Sequence, residues 1–495
     1  MPRFRPPMYD DGGGLPDVAR GEQRRSSSRG RDRYSPDEGF DDGPRGIPNF
    51  LIRRAIVVGV VVVLIAGAAI TAGKLLGRGA SGSSSDFGHS AWNTVVLIDQ
   101  NIGTVVLTNA KGEETGRFRL GIQSLTDSAV IGSTVIAASA DSIAVVDLSA
   151  PDDIVTIDIE SAGELFRPSG TAATVIAPDT GSQRVVLVHG PTREVIDTAD
   201  LDTVPGARYD LGLARSDPTG RNVLVTDSGN FQSVLFSFDR DAPSFFPGLA
   251  LAVNDSIVVT AQNVGPTNAE IKVFDHAGEA GISTQTASVR AGMIADGNVI
   301  LVGVEGTIFS LSIASGEVTT LDSLSVGTVQ SGDVAPRGDR LVVTGDEGTA
   351  VLDSNGVVIA DLPDAQPTTT GIDKLAPRRS TCVILSRAAT NEVMVVDLDD
   401  GTIRIEAITQ SEVLAAVSGC QPVVPTSAGY LSLTQNAVHP VTLVGDVIAI
   451  SPDGGTLVVE NNNRLVLTQR AVPDSDPDEP VDIGRAGRNV AFADL

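Results

Sequence analysis

The sequence predicts an all-β protein: a single large β-propeller of four-stranded blades, preceded by one transmembrane helix and a disordered N-terminal tail. Three observations lead to this prediction. One apolar stretch near the N-terminus carries no charge, the chain beyond it lacks long helical periodicity, and a turn phrase returns at a period of about 40 residues. In chain order we expect a tail at 1–54, a helix at 55–73, a tether at 74–90 and the propeller at 91–495.

The tail is predicted to be disordered because it has too few apolar groups to offset the entropy cost of folding. Gly, Pro, Ser, Arg and Asp alternate quickly along it. Residues 1–54 contain eleven arginines and nine acidic residues, a net charge of +2. The Ser/Gly-rich stretch after the helix is typical of a flexible tether.

The helix is predicted from Ala55–Gly73, which reads AIVVGVVVVLIAGAAITAG. At ~1.5 Å per residue, it is just long enough to cross a ~30 Å hydrocarbon layer. Arg53 and Arg54 precede it, so the positive-inside rule places the tail in the cytoplasm and the large body outside. The alternative is a cleaved signal peptide, with Ala69 and Ala72 in its cleavage motif, although the apolar stretch is long for one. We therefore expect a single-pass protein of the plasma (inner) membrane with a periplasmic C-terminal domain.

The body beyond the helix is strongly acidic. Residues 79–495 carry 53 acidic and 23 basic side chains, a net charge of about −30, within a chain whose total is −26. Such a body repels nucleic acid and anionic headgroups over a Debye length of ~10 Å. Nucleic-acid binding is therefore disfavoured, and the charge serves either solubility or a cation-rich partner.

The propeller is predicted from a repeated phrase: a short apolar strand, a turn such as Pro-Asp-Gly, and a valine-rich strand. Examples are LARSDPTGRNVLVTD from Leu213, DVAPRGDRLVVTG from Asp333 and AISPDGGTLVVE from Ala449. A third and a fourth strand follow, which makes four antiparallel strands per unit. We count about ten candidate units between Ala91 and Leu495, and so expect 7–10 blades. A pair of β-sandwiches or an irregular solenoid is the alternative.

The first and last segments predict how the ring closes. The first unit begins near Asn93 and lacks its opening strand, whereas the terminal GRNVAFADL resembles a strand with no blade after it. If the last strand completes the first blade, no free edge remains.

The chain has two cysteines, Cys382 and Cys420, one repeat period apart. An even pair in an oxidising compartment favours one disulfide between neighbouring blades, provided that the Cα atoms come within ~7 Å. Two buried free thiols are the alternative.

Catalytic chemistry is sparse in the sequence, and we predict no enzyme, no catalytic residue, no metal and no cofactor. The four histidines are far apart, and His189, His276 and His439 fall at turns or strand ends, where a surface histidine is usual. No zinc-ligand spacing and no nucleophile elbow occur. The acidic run that ends at Gly401 reads as a hairpin turn, because it lacks the spacing of an EF-hand.

One cluster of aromatics stands out, in NFQSVLFSFDRDAPSFFPG. Phe236 and Phe238 share a strand face, so core packing explains them. Phe245 and Phe246 are adjacent, so they cannot both point to one face. Phe231, Phe245 and Phe246 are therefore our candidate ligand-binding residues, as an apolar patch for a lipid or membrane partner. Inter-blade packing is the alternative.

The whole layout, from the arginine-rich tail and RRAIVVGVVVVLIAGAAITAG to the Ser/Gly tether and the closed acidic propeller, resembles a family. It is similar to actinobacterial single-pass periplasmic β-propeller proteins associated with trehalose monomycolate transport and polar growth. No sharp motif carries this resemblance, so no site residue is transferred. The resemblance implies a lipid-binding or transport-accessory role, with an inner-membrane lipid exporter as partner.

From these observations we expect a non-enzymatic cell-envelope factor that binds a glycolipid resembling trehalose monomycolate, the exporter, or both. A protein-only scaffold or assembly factor of the envelope is the first alternative. A hydrolase or lactonase with its site on the propeller axis is the second.

Overall fold

The computed structural model describes residues 92–160, 162–171, 173–201, 205–263, 267–367, 382–387, 389–390, 392–398, 401–407, 423–426, 429–434, 437–441, 445–451, 455–469, 480–485 and 488–495. The chain divides into two units, 1–83 and 84–495, and every described residue belongs to the second. The predicted tail, Ala55–Gly73 and the tether lie outside the described residues. Within the described part, no helix has the length and apolar character needed to cross a membrane.

The described residues form 38 strands, together with two short 3-10 helices at Thr180–Ser182 and Thr198–Asp200. The first thirteen strands are β1 (Thr94–Asp99), β2 (Thr104–Asn109), β3 (Glu114–Arg119), β4 (Leu125–Ile131), β5 (Thr134–Ser139), β6 (Ser142–Asp147), β7 (Ala150–Asp158), β8 (Thr174–Pro178), β9 (Val185–His189), β10 (Glu194–Asp197), β11 (Tyr209–Ser216), β12 (Asn222–Asp227) and β13 (Gln232–Ser237). The next thirteen are β14 (Ser244–Pro247), β15 (Leu249–Val253), β16 (Ile257–Asn263), β17 (Asn268–Asp275), β18 (Ala280–Ala287), β19 (Val289–Ala295), β20 (Asn298–Gly303), β21 (Thr307–Ser312), β22 (Val318–Ser323), β23 (Val329–Val334), β24 (Arg340–Gly345), β25 (Gly348–Asp353) and β26 (Val358–Pro363). The last twelve are β27 (Gln366–Pro367), β28 (Cys382–Arg387), β29 (Glu392–Asp397), β30 (Ile403–Ala407), β31 (Val423–Thr426), β32 (Gly429–Thr434), β33 (Ala437–Val441), β34 (Asp446–Ile450), β35 (Thr456–Asn461), β36 (Arg464–Gln469), β37 (Val481–Arg485) and β38 (Arg488–Ala493).

These strands form ten antiparallel sheets, eight of four strands and two of three. We call them blades 1 to 10 in chain order. Blade 1 contains β1–β3 and β38, blade 2 β4–β7, blade 3 β8–β10, blade 4 β11–β14, blade 5 β15–β18, blade 6 β19–β22, blade 7 β23–β26, blade 8 β27–β30, blade 9 β31–β33 and blade 10 β34–β37. Sequential four-stranded meanders of this kind are the units of a β-propeller. The predicted all-β class and four-stranded unit are confirmed in eight of the ten described sheets.

The burial of a strand depends on whether it lies in the middle or at the outer edge of its blade. The middle strands are apolar on both faces, and every residue of β5 is buried. Outer strands such as β18 alternate half-buried and exposed residues, as an edge strand with one face on a neighbour should. Valine-rich runs therefore mark the strands that are covered on both sides by adjacent blades.

The repeated turn phrase forms the first hairpin of a blade, between its first and second strands. In blade 3 the Asp179 carboxylate accepts hydrogen bonds from the backbone N–H groups of Gln183 and Arg184, at 2.8 and 2.9 Å. In blade 4 the Asp217 carboxylate accepts from the Asn222 N–H at 3.1 Å. The acidic residue thus satisfies turn N–H groups that no strand partner reaches, which explains its recurrence.

From blade 10 through blade 1 to blade 8, consecutive blades share apolar cores, so each of these blades buries a face against a neighbour. The pairs of residues that share a core across neighbouring blades include Val95 with Leu465 (blades 1 and 10), Ile98 with Val135 (1 and 2), Ile136 with Val175 (2 and 3), Leu187 with Val223 (3 and 4), Leu235 with Val258 (4 and 5), Val259 with Leu301 (5 and 6), Ile300 with Val343 (6 and 7) and Val342 with Met394 (7 and 8).

The last strand closes the ring. β38 pairs with β1 antiparallel over six residues, with Val95 opposite Phe492. The Asn93 amide donates to the Asp494 carboxylate at 3.0 Å and to the Leu495 carbonyl at 2.7 Å. Trp92 is fully buried, and its ring meets that of Phe492 edge-on at 4.9 Å. The prediction that the terminal segment completes the first blade is confirmed.

Within the described residues, blades 3 and 9 show three strands each, and for blade 9 the residues before β31 and after β33 lie outside the described part. In blade 3 the chain turns into a 3-10 helix directly after β10, and Asp197 caps that helix by accepting from the Ala199 N–H. On the other side of the sheet, Phe166 forms a single bridge to Ile176 of β8. Blade 3 therefore has three described strands and an additional bridge from Phe166 to its first strand. The repeat pattern of the sequence does not predict this arrangement.

Cys382 begins β28, the second strand of blade 8, and is 4% exposed. Cys420 lies outside the described residues. The disulfide between Cys382 and Cys420 therefore stays a prediction.

Candidate functional site

The first strands of blades 2, 5, 6, 7 and 10 share a bulge near their beginning. In blade 6 one unpaired residue, Arg290, separates the pairs that Val289 and Ala291 make with β20. Thr126, Leu251, Gln330 and Ile448 stand at the equivalent places in blades 2, 5, 7 and 10. Bulges of this kind redirect side chains and are common beside functional sites.

Three bulges meet at one cavity of about 380 Å³, which we call the bulge cavity. In blade 4 the bulge of β11 spans the residues between Asp210 and Arg215, and Leu213 from this stretch lines the cavity. Leu251 and Arg290 add the bulged residues of blades 5 and 6. The volume falls at the lower end of the range for small-molecule sites.

The wall of the bulge cavity combines apolar side chains with three hydroxyl residues and two charged residues of opposite sign. Leu249, Val289 and Val304 line it beside the leucines already described. Arg290 and Glu305 supply the charges, and the Arg290 guanidinium donates through Nε to the Gln330 carbonyl of blade 7 at 3.0 Å. A wall with both apolar and polar side chains suits an amphiphilic ligand.

A second feature is an axial segment, residues 162–171, which lies against the first strands of several blades. Its Leu165 N–H donates to the Asp127 carboxylate of blade 2 at 3.0 Å. The Ser169 carbonyl accepts from the Ser216 N–H of blade 4 at 2.6 Å, and the Ser169 hydroxyl oxygen accepts from the Val334 N–H of blade 7 at 2.5 Å. This segment thus ties together blades that are far apart in sequence.

A charge pair of buried Arg215 and half-buried Asp333 lies next to the axial segment. Arg215 of β11 is 3% exposed, and its positive charge acts on Asp333 of β23. Burial raises the pKa of the Asp333 carboxyl, and Arg215 opposes this only in part. Arg215 and Ser169 both line a small cavity of about 60 Å³ between blades 4 and 7. This volume has room for water-sized groups only.

The structure separates the three candidate phenylalanines. Phe246 is 1% exposed and packs on Phe274 of blade 5, with ring centroids 5.3 Å apart. Phe245 points to the opposite face of β14 and is 39% exposed. Phe231 is 81% exposed in the turn between β12 and β13, with a φ of 54°. Phe246 is therefore a core residue, and Phe231 and Phe245 are the two that a partner can reach.

The expectation of surface histidines, made for His189, His276 and His439, is wrong for two of these three. His189 and His276 are 4% and 6% exposed. Their Nε2 atoms lie 3.1 and 3.0 Å from the carbonyl oxygens of Thr219 and Asn254, which accept from them. Burial lowers the pKa of both imidazoles. They tie strand ends to nearby turns, which explains their burial without a catalytic role. The side chain of His439 and all of His89 lie outside the described part.

The acidic run near Gly401 is a turn where the structure describes it. The Gly401 N–H donates to the Asp397 carbonyl at 3.0 Å. Among the described residues, no group of three or more His, Cys, Asp or Glu side chains could hold a metal ion.

The bulge cavity was missed by sequence reasoning. A bulge adds one residue to a strand without a change of composition, and the bulged residues here are as different as Thr, Leu, Arg, Gln and Ile. The only signal is positional: each lies one or two residues after the start of a blade's first strand.

The chain matches no protein-family model and no curated protein. Among solved structures, it is similar to Hsv2 from Kluyveromyces lactis (11% identity over 58% of this chain and 98% of that one, TM-score 0.34). It is also similar to AztD from Citrobacter koseri (10%, 65% and 96%, TM-score 0.34) and to BamB from Moraxella catarrhalis (14%, 65% and 93%, TM-score 0.33). At these values the assignment as a β-propeller rests on the strand pairing and the closure strand of the chain itself.

Proposed function

We propose that this protein is a non-enzymatic, membrane-anchored factor of the cell envelope whose propeller binds an amphiphilic glycolipid in the bulge cavity. The observation that carries the proposal is the meeting of three bulges, from blades 4, 5 and 6, at one cavity of about 380 Å³ whose wall has both apolar and polar side chains. That volume suits part of an amphiphile, such as a segment of one acyl chain, with the remainder outside.

The apolar part of the wall contributes to the affinity in this proposal by burying a segment of the acyl chain. Each Å² of apolar surface removed from water contributes ~25 cal/mol before the cost of ordering the ligand is subtracted. Arg290 and Glu305 then hold sugar hydroxyls, because one can donate and the other accept hydrogen bonds. A glycolipid resembling trehalose monomycolate has both parts.

The cellular setting is part of the same proposal. Ala55–Gly73 spans the plasma membrane, residues 1–54 remain in the cytoplasm, and the propeller lies in the periplasm. An inner-membrane lipid exporter is the proposed protein partner, because the resemblance described above implies one. Deletion of residues 55–73 should move the protein from the membrane fraction to the soluble fraction, and retention in the membrane fraction would contradict the anchor.

The ligand test uses a side chain that fills the cavity without disturbing the core. Ala287 lines the bulge cavity and is exposed, so Ala287→Trp should occupy it. Ala280 lies on the same strand, is exposed and does not line the cavity, which makes Ala280→Trp the matched control. Full-length protein is purified in a mild detergent, and its bound lipid is extracted and identified by mass spectrometry. We expect glycolipid with the wild type and Ala280→Trp, and a large loss with Ala287→Trp. Equal lipid in all three, or none in any, would contradict the proposal.

A protein-only scaffold is the second candidate, and the exposed pair Phe231 and Phe245 favours it. Phe231 is 81% exposed and has a positive φ, so its side chain adds little to the stability of the fold. Contact with a partner protein would explain an aromatic side chain at this position. Crosslinking in cells should capture a membrane protein through Phe231, and the double variant Phe231→Ser with Phe245→Ser should lose it while the fold stays intact. Capture with no lipid in the preparation would favour the scaffold over the lipid-binding factor.

An axial hydrolase or lactonase is the least supported candidate. It needs side chains that converge on open space at the axis. The axial segment places Ser169 and Gly170 against blades 4 and 7, beside a cavity of only about 60 Å³. This arrangement favours the non-enzymatic proposal.

A further inference from the structure

We infer that a groove between blades 1 and 10 is a binding site for an oxyanion, a phosphate or carboxylate group carried by a small molecule. We call it the closure groove, because the two blades that form it are joined by the closing strand. Its volume is about 490 Å³, larger than the bulge cavity, and it lies in a different part of the fold. This site is separate from the proposed glycolipid function.

The charge of the closure groove is opposite to that of the domain. Arg117, Arg464 and Arg485 line it together with Glu114 and Asp482, which leaves one net positive charge. The body as a whole carries about −30. Basic residues gathered at one place in so acidic a protein attract small anions locally while the remaining surface repels them.

Two of the three guanidinium groups are held in place. Arg117 donates through Nε and Nη2 to the two Glu114 oxygens, at 2.8 and 2.6 Å. Arg464 donates through Nε to Asp482 at 2.8 Å. Arg485 is exposed and has no ion-pair partner among the described residues. No side chain of the described residues therefore occupies its donors, and the planar guanidinium matches carboxylate and phosphate oxygens.

A buried hydroxyl in the groove wall gives a second, independent indication. Thr108 of β2 lines the closure groove and is 1% exposed. Its hydroxyl has no hydrogen-bond partner within the described part of the chain. A buried polar group without a partner is costly and is usually retained for a reason, such as a ligand that completes its hydrogen bonding.

A glycine sets the distance between the two walls. Gly112 lies in the turn between β2 and β3 at a φ of 78°, and a Cβ there would lie 2.6 Å from a methyl carbon of Val481 and 2.7 Å from the Asp482 carbonyl oxygen. Only glycine allows the turn of blade 1 to approach blade 10 so closely. The two blades are thus in direct contact at Gly112, at one end of the closure groove, and this contact fixes the distance between the groove walls there.

The fluorescence of Trp92 can report on binding in the closure groove. Trp92 is the only tryptophan, and it packs in the same apolar core as Val106 and Ile483, which line the closure groove. Binding should change the emission of Trp92. It should also raise the melting temperature, since a ligand that binds only the folded state stabilises it.

The experiment titrates full-length protein with sodium phosphate against sodium chloride at constant ionic strength, and reads both Trp92 emission and melting temperature. We expect a saturable response for the wild type and about tenfold weaker binding for Arg485→Gln, the loss of one charge-assisted contact. Thr108→Val should weaken binding without lowering the melting temperature of the free protein. Arg208→Gln removes an exposed arginine of blade 4 and should leave binding unchanged.

A parallel titration with sodium acetate identifies the anion. A response to phosphate alone assigns a phosphate-bearing ligand, and a response to both assigns an oxyanion site without preference. No saturable response to either anion in emission or melting temperature would overturn the inference. The same would follow if Arg485→Gln bound as tightly as Arg208→Gln.

Discussion

At position 338 the fold has no room for a side chain. Gly338 has a φ of 77°, and a Cβ there would lie 2.6 Å from Cγ of Pro218, which belongs to the equivalent turn of blade 4. We expect Gly338→Ala to lower the free energy of unfolding by ~2–3 kcal/mol, through left-handed backbone strain and the forced shift of Pro218.

The matched control for Gly338 is Gly297. Its φ is 78°, but no atom lies within 4 Å of a Cβ built there. Gly297→Ala should cost only the backbone strain, ~1 kcal/mol. Urea unfolding of both variants measures the difference. Equal losses would show that blades 4 and 7 do not press on each other at this turn.

Asp333 should make stability depend on pH. Its pKa is raised by burial, so the folded state holds the proton more tightly than the unfolded chain does. Its contribution to stability is therefore present below the unfolded pKa of ~3.9 and is lost as the pH rises through the higher folded value. Asp333→Asn cannot ionise, so we expect it to melt at a higher temperature than the wild type at pH 7 and at the same temperature near pH 4.

Thermal melts across this pH range test the Asp333 prediction, with the exposed Asp152→Asn as control. The control should follow the wild type at every pH. If Asp333→Asn were less stable than the wild type at pH 7, the prediction would be wrong. The attraction between Arg215 and the Asp333 carboxylate would then outweigh the cost of burying that charge.

The sequence predicted part of the aromatic cluster at this scale. Side-chain alternation in a strand is a local property, so it was predictable that Phe245 and Phe246 point to opposite faces. Which of them meets blade 5 depends on the neighbouring blade, and that information is not local. The same limit applies to His189, whose burial depends on a carbonyl of the next blade.

The closing strand is the element on which the ring depends. Deletion of residues 488–495 removes β38, exposes the edge of β1 and takes away the Phe492 ring that packs on Trp92. We expect a loss of at least ~3 kcal/mol, the value for one large buried side chain, and a shift of Trp92 emission to longer wavelength. The exposed edge should also promote aggregation.

Fluorescence and chemical unfolding measure both effects of the deletion. Leu495→Ala is the control, because the Leu495 side chain is 43% exposed and lies beyond β38. Unchanged emission and stability after the deletion would mean that the first blade holds together without the C-terminal strand.

The strands were predicted well where a recognisable turn sequence joins the first strand of a blade to the second. The phrase that ends the first strand and begins the second is a hairpin in blades 3, 4, 7 and 10. In blades 3, 4 and 10 an acidic or hydroxyl side chain accepts from turn N–H groups. In blade 7 the Ala335 carbonyl accepts from the Gly338 N–H at 2.8 Å instead. The bulges were not predicted. A bulge is set by the close approach of neighbouring first strands, and the extra residue has no preferred type. The bulge cavity follows from the bulges, so it could not be predicted either.

For the whole molecule, the sequence predicted the repeating unit and a range of 7–10 blades, because each blade is a local unit of sequence, and ten sheets are observed among the described residues. The contact between blades 4 and 7 was not predictable. It depends on the close approach of Gly338 to Pro218 and on the hydrogen bond between Val334 and Ser169. In each pair the two residues are more than a hundred positions apart in the sequence. Nothing in a repeat pattern encodes contacts that skip two intervening blades.

The net charge of the body should make its stability rise with salt. Residues 79–495 hold 53 acidic and 23 basic side chains, so repulsion outweighs the attraction of pairs such as Arg221 with Glu194 at 2.8 Å. Screening shortens the Debye length from ~30 Å at 0.01 M to ~8 Å at 0.15 M and weakens repulsion between distant carboxylates more than it weakens close pairs. We expect the melting temperature of the full-length protein to rise by several degrees over this range. Equal rises in sodium chloride and choline chloride would identify screening as the cause, whereas a fall with salt would mean that ion pairs dominate and that the acidic surface does not strain the fold.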